Sequence, residues 1–194
     1  MDESDAADPE LLPRLVGDRV TLRPGTAEEA EILHAILSEP SVMRWWGQPE
    51  PEEDIAANLR GEGGNCLLII EVDHAVAGGI QYYEEEDEMY RHAGIDIFLS
   101  DSHQGRGFGR EAIALLVRFL LDQRHHHRLI IDPAAANIRA IRCYESVGFR
   151  PVGVMRQYER GLDGTFHDGL LMDLVATDLE PQPATATEFE DDRV

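Results

Sequence analysis

A strand-like run, Gly94-Ile95-Asp96-Ile97-Phe98-Leu99, is followed after a few residues by Gln104-Gly105-Arg106-Gly107-Phe108-Gly109-Arg110, which opens a long amphipathic segment. Three glycines let a ligand approach the backbone closely. The unpaired N–H groups of a helix start, at the positive end of its dipole, favour a bound anion. Arg106 and Arg110 add positive charge at the rim. That is the chemistry of a pyrophosphate cradle, although taken alone the segment is equally compatible with a glycine-rich turn that binds nothing. A dinucleotide fingerprint is excluded by spacing, because G-x-G-x-x-G needs glycine where Arg110 stands.

The rest of the composition removes other chemistries. All 17 basic residues are arginine, so a Walker A loop, a pyridoxal Schiff base and a lysine nucleophile are ruled out. A net charge of −21 argues against a nucleic-acid partner and suits a cationic one. The same acidity also arises by adaptation to salt, so charge alone selects no substrate. Cys66 and Cys143 lie far apart with no C-x-x-C spacing, and neither a disulfide framework nor a zinc site is expected. His125-His126-His127 reads as the exposed end of the long helix, since consecutive histidines cannot converge on one ion; no metal is expected. With no apolar run of about 18 residues and an acidic rather than basic N-terminus, the expectation is a cytoplasmic protein with no membrane partner.

These residues need a scaffold. Residues 1–13 carry five acids and no base, and 180–194 carry five acids and one arginine; both read as solvated tails around a single domain at 14–179. Alternation predicts strands at 19–23, 66–72, 75–83, 93–99, 128–132, 149–160 and 165–175. Helices are predicted at 26–37 behind a Thr26/Glu29 capping box, and at 52–60, 105–121 and 136–147. Pro40 ends the first helix, Trp45 and Trp46 read either as core residues or, with Gly47, as a loop in which one ring lines a sugar-sized pocket, and 84–88 as an acidic loop. The fold class is mixed α/β: one central, mostly antiparallel sheet with helices on its faces.

Gln104-x-x-Gly107-x-Gly109 after such a strand resembles the acetyl-CoA signature of the GNAT superfamily of N-acetyltransferases. Asn137-Ile138-Arg139-Ala140-Ile141-Arg142-Cys143-Tyr144-Glu145-Ser146-Val147-Gly148-Phe149 resembles its second motif. Within the superfamily, Trp45-Trp46-Gly47, Gly94-Ile95-Asp96 and Asp132-Pro133 are similar in order and spacing to the aminoglycoside 6'-N-acetyltransferases. Beyond Phe149, Tyr158 to Gly164 and His167-Asp168-Gly169 are more similar to uncharacterised bacterial acetyltransferases.

The resemblance implies helices on both faces of the sheet, a splayed strand pair, and acetyl-CoA as co-substrate. It implies a coenzyme site of Phe98, Leu99, Gln104, Gly105, Arg106, Gly107, Phe108, Gly109, Arg110, Asn137 and Arg139, although Asn137 serves equally well as a helix cap. Asp96 is then the base that holds and deprotonates the amine, and Tyr144 the acid that protonates the departing thiolate. Trp45, Trp46, Gln81, Tyr83, Glu84 and Asp132 join Asp96 around a cationic small-molecule amine, with an aminoglycoside 6'-amine as the specific expectation. Cys143, one residue from Tyr144, is expected on another helix face, so direct transfer is preferred to an acetyl-cysteine. Acetylation of a peptide N-terminus or another metabolite amine is the second reading and a non-catalytic acyl-CoA sensor the third. A homodimer is an admissible assembly.

Overall fold

Cys66–Val72 contains the uninterrupted apolar run Leu67 to Ile70, the pattern of a strand covered on both faces. In the computed structural model, which describes residues 12–62 and 64–179, this is β3 at the centre of the packing. It follows β1 (Leu15–Val16), β2 (Val20–Pro24), α1 (Ala30–Leu37), α2 (Pro40–Trp46) and α3 (Glu52–Leu59). After it come β4 (Ala75–Glu85), β5 (His92–Leu99), α4 (Phe108–Asp122), β6 (Arg128–Ile131), α5 (Ile138–Glu145), β7 (Arg150–Arg160) and β8 (Phe166–Val175).

The described strands form one eight-stranded sheet in the order β1-β2-β3-β4-β5-β6-β8-β7, antiparallel throughout except between β5 and β6. Period-two alternation sends Leu68 and Ile70 toward one core with Ile113, Leu116 and Leu120 of α4, and Leu67 and Ile69 toward another with Leu33, Leu37 and Ile55 of α1 and α3. Helices thus cover both faces of the mixed, mostly antiparallel sheet. The parallel pair is short: only Ala93 with Leu129 and Gly94 with Ile130 are in register. From Ile95 onward the edge of β5 facing β6 has no strand partner among the described residues, and the two strands part.

Four sequence expectations change. Pro40 does not merely end α1; it opens α2 at the first-turn position, where a missing N–H costs nothing, so Trp45 and Trp46 close a helix capped by Gly47 rather than lying in a loop. The long helix begins at Phe108, not residue 105, because Gly105 and Gly107 have φ of 70° and 88°. His126 is buried, not exposed, beyond the end of α4. Leu12, assigned to the N-terminal tail, packs into the core; the other tail residues, 1–11 and 180–194, lie outside the described residues. Among the described residues no helix is long and apolar enough to cross a membrane.

Candidate active site

The left-handed turn at Gly107 presents the first N–H groups of α4, at Phe108, Gly109 and Arg110, and no side chain among the described residues caps them. The space before them is open. A Cβ added at Gly105 meets nothing within 4 Å, and one added at Gly109 meets only aliphatic carbon, Leu99 Cδ1 at 3.4 Å being the nearest. The side chains of Phe108 and Arg106 do not contribute: the Phe108 ring is buried, with the guanidinium groups of Arg19 and Arg106 each 4.9 Å from its centroid. Their part in an anion site reduces to backbone. Gln104 is also occupied, donating from Nε2 to the Leu99 carbonyl at 2.8 Å and to Ser41 Oγ at 3.4 Å, and accepting from Arg139. It ties the β5 end to α2 and α5 and also lines the cleft that opens from this turn.

From this turn a cleft of about 360 Å³ opens along the separated edge of β5. Ile97, Phe98 and Leu99 line it from the strand, and Asn137, Arg139 and Tyr144 from α5 and its cap. Asn137 caps α5, its Oδ1 accepting the Ala140 N–H at 3.2 Å, and still faces the cleft. Trp46 donates from Nε1 to the Ile97 carbonyl at 3.2 Å and packs edge-on against Phe98, with ring centroids 4.9 Å apart. Cys143 faces the same cleft as Tyr144, contrary to the helical-wheel expectation, because α5 lies along the wall and presents two adjacent columns. Burial pushes its thiol up, which disfavours the nucleophilic thiolate.

A second chamber of about 270 Å³ adjoins the first. Trp45, Trp46, Ile97, Asn137 and Tyr144 line both. Its other walls bring together Asp96, Asp132, Tyr158 and Glu159. Burial raises the Asp96 carboxyl above its ordinary value and the nearby Asp132 adds to this, while a hydrogen bond from Gln81 opposes it. Burial also raises the Tyr144 phenol, with the nearby Cys143, Asp96 and Asp132 contributing. A carboxylate made more basic and a phenol held protonated, lining one chamber, have the chemistry that a base and an acid require.

Three expected acceptor residues stand elsewhere. Gln81 pairs with Asp96 across the ladder and donates to it instead of facing the chamber. Tyr83 lies over Gly94, its ring occupying the place of a side chain there. Glu84 belongs to β4, not to a loop, and its carboxylate is held by Arg124 and His126 at 2.8 and 2.6 Å. A strong local ion pair outcompetes any mobile ligand for it.

The family model of the acetyltransferase (GNAT) domain matches residues 19–150. The chain belongs to the GNAT family. An aminoglycoside N(6')-acetyltransferase type 1 of Klebsiella pneumoniae is 29% identical over 157 residues, covering 71% of this chain and 77% of that one. The spermidine N(1)-acetyltransferase of Escherichia coli (strain K12) is 25% identical over 159 residues, covering 79% and 84%. Among solved structures, that of AAC(6')-Ib in complex with paromomycin and acetyl-CoA aligns with a TM-score of 0.69 at 26% identity, covering 87% of this chain and 100% of that one.

This GNAT chain is therefore an N-acetyltransferase, and the matched segment spans the glycine turn, Asp96 and Tyr144. Sequence reasoning missed Ser41 and Arg142 in the first cleft and Tyr158 and Glu159 in the second. Arg142 had a signal, standing three residues after Arg139 on the helix face that lines the cleft. Tyr158 and Glu159 had none, because an irregular stretch of β7 delivers them.

Proposed function

We propose that the enzyme transfers the acetyl group of acetyl-CoA directly to a primary amine of a cationic small molecule, with an aminoglycoside 6'-amine as the first candidate. The observation that carries this reading is the position of Tyr144 as a wall of both chambers, one ending at a helix start with no side-chain cap and the other holding acids that form no salt bridge among the described residues. The coenzyme supplies the activated thioester carbonyl. The uncapped N–H groups of α4 and the guanidinium of Arg110 suit its pyrophosphate. The separated edge of β5 offers N–H groups to the oxygen that gains charge as the amine adds, a contribution of about 2.7–4 kcal/mol per donor in other acyl transfers.

Asp96 orients the substrate ammonium and takes its proton, freeing the lone pair that attacks the carbonyl carbon. As the new C–N bond forms and the C–S bond breaks, Tyr144 gives its proton to the sulfur. Asp132 adds negative charge for the rest of a cationic acceptor. The aminoglycoside-modifying relative at 29% identity supports the specific guess, and the spermidine-modifying one supports polyamines as a second.

The test is thiol release from acetyl-CoA with a panel of aminoglycosides, polyamines and N-terminal peptides. Turnover of the aminoglycosides or polyamines in preference to the peptides is expected. Peptide turnover alone would replace this reading, and silence with every aminoglycoside would remove the specific guess.

A further inference from the structure

We propose that Tyr158 and Glu159, displayed by a bulge in β7, form the acceptor-selecting wall of the acidic chamber, and that Glu159 favours acceptors carrying a second ammonium group. The inference rests on the reading of that chamber as the acceptor site.

The bulge is explicit in the register. Met155 stands opposite Gly169 and Glu159 opposite His167, so β7 advances four residues where β8 advances two. At its centre Gln157, not a glycine, has φ of 52°. Such a conformation persists only where the surroundings hold it, and here Asp168 Oδ1 accepts the Gln157 N–H at 2.8 Å. The Asp168 carbonyl accepts the Ala135 N–H at 2.8 Å, and Leu170 donates to the Pro133 carbonyl at 2.8 Å. The bulge and the segment that follows Asp132 are thereby one unit.

The extra length turns Tyr158 and Glu159 into the chamber. The Tyr158 ring packs over Gly169, where an added Cβ would lie 2.8 Å from Cδ1. The neighbouring Asp132 carboxylate pushes the Tyr158 phenol up to about 12, burial contributing, and both residues line the same chamber. Burial raises the Glu159 carboxyl as well, with Asp132 adding to it and His167 opposing it. Asp96, Asp132 and Glu159 form no salt bridge with any arginine among the described residues. Three acids in one 270 Å³ chamber repel one another, and two ammonium groups of one acceptor relieve that repulsion better than one. Both residues lie beyond the segment matched by the family model, which ends at residue 150, so they form a wall that the shared domain does not itself prescribe.

The experiment compares wild type with Glu159→Gln and Tyr158→Phe in steady-state acetylation of spermidine, a multiply charged aminoglycoside and the monoamine glucosamine. Glu159→Gln is expected to lower kcat/KM for the two polycations about tenfold more than for glucosamine, the ratio that corresponds to about 1.4 kcal/mol. Tyr158→Phe is expected to raise KM for all three acceptors with a smaller change in kcat. An unchanged polycation-to-monoamine ratio in an active Glu159→Gln enzyme overturns the inference and leaves the acetyl-transfer reading standing. If wild type acetylates no amine, that reading falls and the inference with it.

Discussion

Gln81, directly opposite Asp96 in the β4–β5 ladder, donates a hydrogen bond from Nε2 to Asp96 Oδ2 over 3.1 Å. The bond orients the carboxylate but does not offset its burial, since the carboxyl remains above its ordinary 3.8. A folded-state value above the unfolded one means that the native protein binds this proton more tightly. Stability therefore falls as pH rises through that interval and stays lower above it. Asp96→Asn removes the half-buried charge and keeps an oxygen for Gln81. At neutral pH the variant is expected to melt a few degrees higher, about 2–4 °C per kcal/mol for a chain of this size, while kcat drops about a hundredfold or more. A variant that is neither slower nor more stable would remove Asp96 as the base. In wild type the acidic limb of the rate profile should lie above the ordinary carboxylate range and disappear in the variant.

Tyr144→Phe keeps the buried ring against Phe149 and deletes only the phenolic proton. We expect kcat to fall by about a hundredfold, the lower range for a lost general acid, with KM for acetyl-CoA little changed. Because burial and nearby acids raise the phenol above its ordinary 10, wild type should keep its rate through pH 9 without an alkaline limb from this group. A thioester with a more acidic thiol needs less protonation on departure and should be affected less by the substitution. Equal losses with both thioesters would assign Tyr144 to packing.

The glycine turn, the Asp96 strand and the helix that carries Tyr144 were legible in the sequence because each is local: glycine freedom, strand alternation and helix amphipathicity act over a few residues, whereas the roles of Asp96 and Tyr144 came from the resemblance to the GNAT superfamily. What failed was long-range or irregular. Glu84 reads as part of a solvated acidic run until Arg124 and His126, 40 and 42 residues away, claim it. Pro40 obeys the same φ restriction whether it ends one helix or begins the next, so its identity cannot distinguish the two. Tyr158 and Glu159 reach the acceptor chamber only because β7 slips register, and strict alternation has no term for a bulge.

Gly107 and Gly109 should separate when each is changed to alanine. Gly107 has φ of 88° and its added Cβ would lie 3.1 Å from Arg19 Nη2, so the substitution should cost about 1–2 kcal/mol and lower Tm. Gly109 lies inside α4 with room for a methyl group, and alanine there gains up to about 1 kcal/mol of helix propensity. Gly109→Ala should thus melt no lower than wild type yet raise KM for acetyl-CoA severalfold, because the methyl group stands where a pyrophosphate would approach the N–H groups. An unchanged KM would show that no phosphate comes close to residue 109.

Glu84→Gln tests whether that residue is structural or part of acceptor binding. Its carboxylate receives Arg124 Nε at 3.1 Å, Arg124 Nη2 at 2.8 Å and His126 Nε2 at 2.6 Å, and Arg91 bonds the carbonyls of Arg124 and His125, each at 2.8 Å. The cluster fastens β4 to the connection between α4 and β6, next to where β5 and β6 still pair. Burial alone would raise the Glu84 carboxyl, but the hydrogen bonds and charges of Arg124 and His126 outweigh it and hold it below its ordinary 4.5. A depressed carboxyl contributes stability that is present above 4.5 and lost as pH falls through the lower folded value. The variant is expected to lose about 1–3 kcal/mol at neutral pH, and its melting curve should converge with that of wild type in acid, where both side chains are uncharged. KM for polycationic acceptors should change by less than about twofold, well under the tenfold that 1.4 kcal/mol of lost contact would produce. A large KM increase with no change in Tm would return Glu84 to the acceptor site.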